Sequence, residues 1–170
     1  MSSALHTPLC DLFGIRYPII QTAMGWLSTP ELVAASCNAG AIGFLAAATI
    51  PSDQVDAEIV RVKQLTDRPF GVNFLHEQPG AELVVDAIVR HRVKAASYSR
   101  SPNKEFIQRF KQAGVVCIPT VGAARHAVKA VKLGADVLVA QGGEGGGHTG
   151  SVPTSLLLPQ VLDPVADPLM

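Results

Sequence analysis

The residues Gln141 to Gly150, QGGEGGGHTG, carry the densest chemical signal in the chain. One imidazole, His148, sits among six glycines. Histidine titrates near neutrality, so it can take or give a proton at a substrate carbon or oxygen. Glycine has no Cβ, which lets backbone N–H groups come close to a ligand. Gln141 follows the apolar run Asp136 to Ala140 and supplies an amide at the end of a strand, where barrel enzymes place ligand-facing groups. The pattern reads as a binding loop with a proton-transfer residue in it. The plainer alternative is a flexible surface loop with an incidental histidine. It is disfavoured because a linker rarely begins at a buried strand and would favour Ser over His.

Other chemistry-bearing groups follow other strand-like runs: Met24, Asn73, Ser97 and Thr120. Asn73 stands in Gly71-Val72-Asn73-Phe74, where an amide among apolar residues costs energy unless it has partners. Met24 reads equally as a core residue. Trp26 either walls a substrate site or only packs. His6, His76, His91 and His126 have no supporting motif; His91 and His126 fall on predicted helices and are expected to be solvated. Cys10, Cys37 and Cys117 are widely spaced and lack a CxxC pattern. They read as reduced thiols of a cytoplasmic protein, with neither a disulfide frame nor a metal site.

These residues are positioned by strand and helix segments that alternate along the whole chain. Strands are expected over 17–21, 42–46, 69–74, 93–99, 115–121 and 136–140. Helices are expected from Ser28-Thr29-Pro30-Glu31 to about Asn38, after Pro51-Ser52-Asp53, over 80–91, after Ser101-Pro102-Asn103, over 123–133 and over 154–162. The first has a hydroxyl cap and an early proline; Gly40, Gly114 and Gly134 act as stops. Such units imply parallel pairing through right-handed crossovers. A doubly wound sheet would place phosphate-binding glycines after its first strand, but Thr22-Ala23-Met24-Gly25-Trp26 follows there instead. Ligand residues after several strands favour a closed eight-stranded ring, the TIM (β/α)8-type barrel.

Composition sets the outer limits. The chain has 170 residues, 48% of them hydrophobic and only 16% charged, which suits buried parallel strands covered by helices. Fourteen basic and 14 acidic residues give a net charge of +0, with no basic patch, so nucleic acid is not an expected partner. Met1 to Cys10 lacks the marks of a secretory signal. The run Ala39 to Ile50 is too short to span a membrane. A soluble protein with a small-molecule substrate is expected.

The segments QTAMGW (21–26), NAGAIGFLAAAT (38–49), PFGVNF (69–74), GVVCIPTVG (114–122) and GADVLVAQGGEGGGHTG (134–150) resemble the nitronate monooxygenase family, also called 2-nitropropane dioxygenase-like. The resemblance implies an FMN-dependent barrel oxidoreductase that oxidises nitronates or nitroalkanes with O2. It further implies that Thr22, Ala23 and Met24 lie beside the flavin ring, that Asn73 hydrogen-bonds the flavin, that Gln141 touches its polar edge and that Gly146 lets a backbone N–H approach FMN. His148 would be the catalytic residue, acting as base, orienting the substrate or polarising a carbonyl. The MGW and GGEGGGHTG wording is similar to a branch acting on steroid-like acyl-CoA intermediates. The alternative activity is therefore an NAD(P)H-dependent flavin oxidoreductase acting on an enone or acyl-CoA. Ala23, where many members carry proline, and Gly145, where alanine is common, leave flavin binding intact but bear on the substrate class.

A complete barrel needs about 250 residues. The expectation is one partial barrel domain over 1–170, truncated after about six βα units, with open strand edges that invite homo-oligomers. Loops that grip a barrel-bound phosphate usually follow strands seven and eight, so FMN binding by these residues is expected to be weak. A catalytically inactive remnant or a partner-dependent half barrel is the further alternative.

Overall fold

A computed structural model describes residues 4–99, 103–147 and 149–165, and these form two compact units that divide between Ala96 and Ser97. In the first unit, a short helix α1 (Pro8–Phe13) precedes β1 (Ile20–Gln21), α2 (Pro30–Asn38), β2 (Ile42–Ala46), α3 (Val55–Leu65), β3 (Gly71–Leu75) and α4 (Ala81–His91). β4 (Ala95–Ser99) begins in this unit. The second unit holds α5 (Lys104–Gln112), β5 (Val116–Val121), α6 (Ala124–Leu133), β6 (Val139–Ala140) and α7 (Thr154–Val165).

β1 pairs parallel with β2 and β2 with β3, with Ile20 opposite Ile42 and Ala46 opposite Asn73. β4 lies next to β3, not next to β1. A doubly wound sheet reverses its order there, so this succession is the barrel habit. In the second unit β5 pairs parallel with β6, Thr120 opposite Val139. The five residues of β2 are all buried, as expected of a strand covered on both faces.

The first unit's core is built from periodic apolar residues: Val33 and Cys37 of α2, Val55, Ile59 and Val62 of α3, Val84 and Ile88 of α4, against Ile42, Leu45, Val72 and Phe74. The second unit has a cluster of Val121, Ala127, Leu157 and Val161, which joins β5, α6 and α7. α5 starts as its sequence implies, with Asn103 Oδ1 accepting from the Phe106 N–H at 3.1 Å.

The expected boundaries shift where local groups replace the strand ladder. β1 is shorter than 17–21. Pro18 has no N–H to give, the Arg16 and Tyr17 amides both go to the Gly40 carbonyl at 2.9 Å, and the Ile19 amide turns back to Tyr17. β6 is shorter than 136–140 because the Asp136 and Val137 amides both reach the Cys117 carbonyl, while Asp136 Oδ2 accepts from the Cys117 N–H at 2.8 Å. A carboxylate thus takes the place of one rung. The hydroxyl cap of α2 is absent: Thr29 holds the N-cap position without bonding a helix amide, and its hydroxyl meets the Glu31 carboxylate. His91 is half-buried and paired, not simply solvated. Its Nε2 lies 2.9 Å from Asp56 Oδ1, which Arg90 Nη1 also meets at 2.6 Å. His126 is half-buried.

Among the described residues no helix is long and apolar enough to cross a membrane, and none of them form a cluster fit to hold a metal ion. All three cysteines are free and buried. Burial, and then the Asp136 charge, pushes the Cys117 thiol up to about 12. Burial likewise raises the Tyr98 hydroxyl, whose oxygen accepts from the Asn103 N–H. A proton held more tightly when folded stabilises the fold at low pH and is lost as pH rises through the folded value. Urea unfolding measured from pH 8 upward should therefore show stability falling between about pH 9 and about 12, and Cys117→Ala should flatten that fall.

Candidate functional site

In the first unit, the candidate residues gather on the loop after β1 and on β3. Thr22, Ala23 and Met24 form the start of the loop, whose conformation is set by Ser28. That serine is buried and was not singled out by sequence. Its Oγ donates to the Thr22 carbonyl at 3.1 Å and accepts from the Met24 N–H at 2.8 Å and from Gln21 Nε2 at 2.9 Å. Gln21 Nε2 also donates to the Thr22 carbonyl. The Leu27 and Ser28 amides return to the Met24 carbonyl, which closes the turn. The Ser28 carbonyl then accepts from the Ala46 N–H at 3.2 Å, which ties the loop to β2. Ala46 is the register partner of Asn73. Asn73 is the third of the five residues of β3, half-buried at the middle of the strand and not at its end.

The Met24 amide is committed to Ser28, so its side chain, 38% exposed, is what it offers a ligand. Gln21 Oε1 is buried with no hydrogen-bond partner among the described residues. It has room only because residue 43 is glycine: a Cβ there would lie 2.8 Å from Oε1 and 2.9 Å from the Val33 carbonyl.

In the second unit, Gln141 and Gly146 are brought together on the loop after β6. Gln141 Nε2 donates to the Gly146 carbonyl at 3.0 Å. The Gln141 amide reaches the Val121 carbonyl, and the Gly143 amide reaches Val152. Glu144, also missed by sequence, clamps the loop onto α7. Its Oε2 accepts from the Thr154 N–H at 2.8 Å and from Thr154 Oγ1 at 2.7 Å. Those bonds hold the Glu144 carboxyl below the usual range. The two residues are ten apart in sequence, which is no capping spacing, so only the folded loop reveals the pair. Gly142 is required by contact, since a Cβ there would lie 2.3 Å from Thr154 Oγ1. Gly146 is not: nothing lies within 4 Å of its Cβ position, and Gly147 has φ +72° in similarly open space. His148 lies outside the described residues.

Ser28→Ala leaves the Met24 amide and the Gln21 side chain without their shared partner, and each lost bond costs on the order of 0.5–1.5 kcal/mol. Trp26 is the only tryptophan in the chain and lies on this loop. Its fluorescence anisotropy should drop in Ser28→Ala, with thermal unfolding lowered by a few degrees; unchanged anisotropy would show that Ser28 does not hold the loop.

Comparison with known proteins gives a consistent picture. A sequence profile of the nitronate monooxygenase family matches residues 6–85 and 81–170. The chain is 48% identical over 168 residues to a (3aS,4S,5R,7aS)-5-hydroxy-7a-methyl-1-oxo-octahydro-1H-indene-4-carboxyl-CoA dehydrogenase from Rhodococcus jostii (strain RHA1), covering 99% of this chain and 48% of that one. A probable nitronate monooxygenase from Staphylococcus aureus (strain N315) is 31% identical, covering 95% of this chain and 59% of its own length. The chain thus spans about half the length of these relatives. Among solved structures, FabK from Thermotoga maritima superposes with a TM-score of 0.89 at 32% identity, over 93% of this chain and 51% of that one. A nitroalkane oxidase from Streptomyces ansochromogenes gives 0.81 at 31%, over 91% of this chain and 57% of that one. The fold is that of TIM-barrel oxidoreductases, and the chain belongs to the nitronate monooxygenase family.

Proposed function

We propose that this chain carries the ring-facing part of an FMN-dependent oxidoreductase whose substrate is a fused alicyclic acid held as a CoA thioester. The observation that carries the reading is identity of 48% and 50% to two indene-carboxyl-CoA dehydrogenases, over 99% and 95% of this chain. The residues present fit a flat cofactor with a polar edge. The glycines at 146 and 147 leave open space that no protein atom requires. Gln141 keeps its carbonyl oxygen and one N–H for a ligand after its bond to Gly146.

In this reading Met24 and the Thr22–Ala23 peptides line the ring, Asn73 and Gln141 bond its polar edge, and Gly146 admits the approach of backbone. His148 holds the proton of the substrate oxygen, as base or donor. When bound, FMN supplies the two-electron chemistry that no side chain here can perform. NAD(P)H is the candidate electron partner. A cytoplasmic location and pairing of copies through strand edges belong to the same reading.

Nitronate oxidation with O2 is the second reading, supported by the family profile and by the 31% identical Staphylococcus proteins. There His148 would take the α-proton of a neutral nitroalkane to give the nitronate, or, where the nitronate itself is the substrate, would only orient it. Two measurements check these assignments. FMN added at increasing concentration should show saturable fluorescence quenching, weakened at least about tenfold, on the order of 1.4 kcal/mol, by Gly146→Val. In FMN-loaded protein kept free of oxygen, a hydroxy-hydrindane CoA thioester or NAD(P)H should bleach the flavin, and His148→Ala should slow turnover by about 10²–10⁴. Bleaching by a nitronate alone would favour the second reading, and turnover indifferent to His148→Ala would remove its role.

A further inference from the structure

The loop after β1 exposes one group that neither the core nor the proposed ring contacts use. Trp26 is 83% exposed, so packing against the described residues does not explain it. Its backbone has φ +61°, a costly conformation for a bulky aromatic residue. The fold imposes that conformation. The Trp26 N–H donates to Thr49 Oγ1 at 3.1 Å, and Thr49 Oγ1 in turn donates to the Ala46 carbonyl at 3.2 Å. Gly25 lies close beneath, where a Cβ would meet Thr49 Cγ2 at 3.0 Å. The indole is therefore presented outward on a fixed stem.

Beside it lies a cleft of about 360 Å³, lined among others by Trp26, Thr49, Ile50, Glu31, Glu58 and Arg61. That volume is within the range of small-molecule sites, roughly 300–1,000 Å³. Arg61 is already paired with Glu31, and its Nη1 lies 4.0 Å from Glu58 Oε2. Two carboxylates thus face one guanidinium. A phosphate would be repelled here, whereas a neutral group rich in N–H and O–H donors would be held. A flat π-face for the indole and donors for the carboxylates describe a purine nucleoside better than an alicycle, which has no π-face and few donors.

We infer that Trp26 and this cleft dock the adenosine end of a nucleotide-bearing substrate, the base stacked on the indole and its exocyclic amine and ribose hydroxyl turned to Glu31 and Glu58. The inference rests on the proposed function only for the carrier, which would be the CoA thioester; a nicotinamide dinucleotide offers the same adenosine chemistry. In either case the phosphates lie outside the cleft.

The single tryptophan makes the test direct. With excitation at the indole's red edge, adenosine and CoA should quench Trp26 saturably, and pantetheine, which lacks the nucleoside, should not. By calorimetry, Trp26→Ala should weaken CoA binding roughly 5- to 150-fold, the range of one base–aromatic stack. Trp26→Phe should restore part of it. Inorganic pyrophosphate should leave the Trp26 emission unchanged, whereas saturable quenching by it would show a site read through phosphate and overturn the inference. NADH measured against CoA identifies the carrier by whichever binds more tightly. No saturable quenching at millimolar adenosine, or CoA affinity unchanged in Trp26→Ala, overturns the inference. FMN quenching is read separately: its failure with adenosine binding intact would sink the cofactor assignment and leave this site standing.

Discussion

The hydroxyl of Ser28 is the contact on which the first unit's candidate site depends. It accepts two donors and gives one proton, so its capacity is fully used. All three bonds are made in a nearly water-free position, since Ser28 is 2% exposed. A buried hydroxyl left short of partners would cost on the order of 1–3 kcal/mol. The turn from Thr22 to Ser28 therefore has one arrangement that satisfies it, and alternatives leave a buried group bare. This rigidity explains how the loop can hold Met24 half-exposed and Trp26 at a positive φ without apolar burial to compensate.

The second unit reaches a similar end by another route. Its loop is too rich in glycine to define its own path, and among its described residues no side chain is buried deeply enough to act as a hub. The path is fixed by two of the loop's own polar side chains, Glu144 reaching out to the start of α7 and Gln141 reaching across the loop to the Gly146 carbonyl. The close seat of Gly142 against Thr154 adds a steric constraint. An anionic side chain at a helix start is also favoured by the helix dipole. Order in the loop is thus borrowed in part from α7, while Gly146 and Gly147 keep open space around them.

Much of the architecture was legible because burial imposes a period. β2, α4, α5 and α6 fall where apolar spacing and glycine stops put them. What escaped were features without a period. α1 is six residues long, too short to show a repeating face. The ends of β1 and β6 are decided by Pro18 and by the Asp136 carboxylate, groups whose effect depends on what lies opposite. Of the candidate site, sequence named the residues proposed to meet a ligand: Met24, Asn73, Gln141 and the glycines. It missed Gln21, Ser28, Thr49 and Glu144, which hold those residues in place. Supporting residues are ordinary polar types at irregular spacings, and their roles exist only after the chain has folded back on itself.

The loop after β1 also bears on the choice between the two chemistries. Its supports, Gln21, Ser28 and Thr49, explain the shape of the backbone, but none of them requires an indole at position 26. A smaller residue could complete the same turn at less strain, and a nitronate is too small to need a large aromatic platform outside the ring site. A substrate that extends well beyond its reacting atoms does need one, because contacts remote from the reacting centre can be used to orient it there. An exposed tryptophan on a fixed backbone next to a donor-seeking cleft thus suits the proposed nucleotide-bearing thioester better than a nitroalkane.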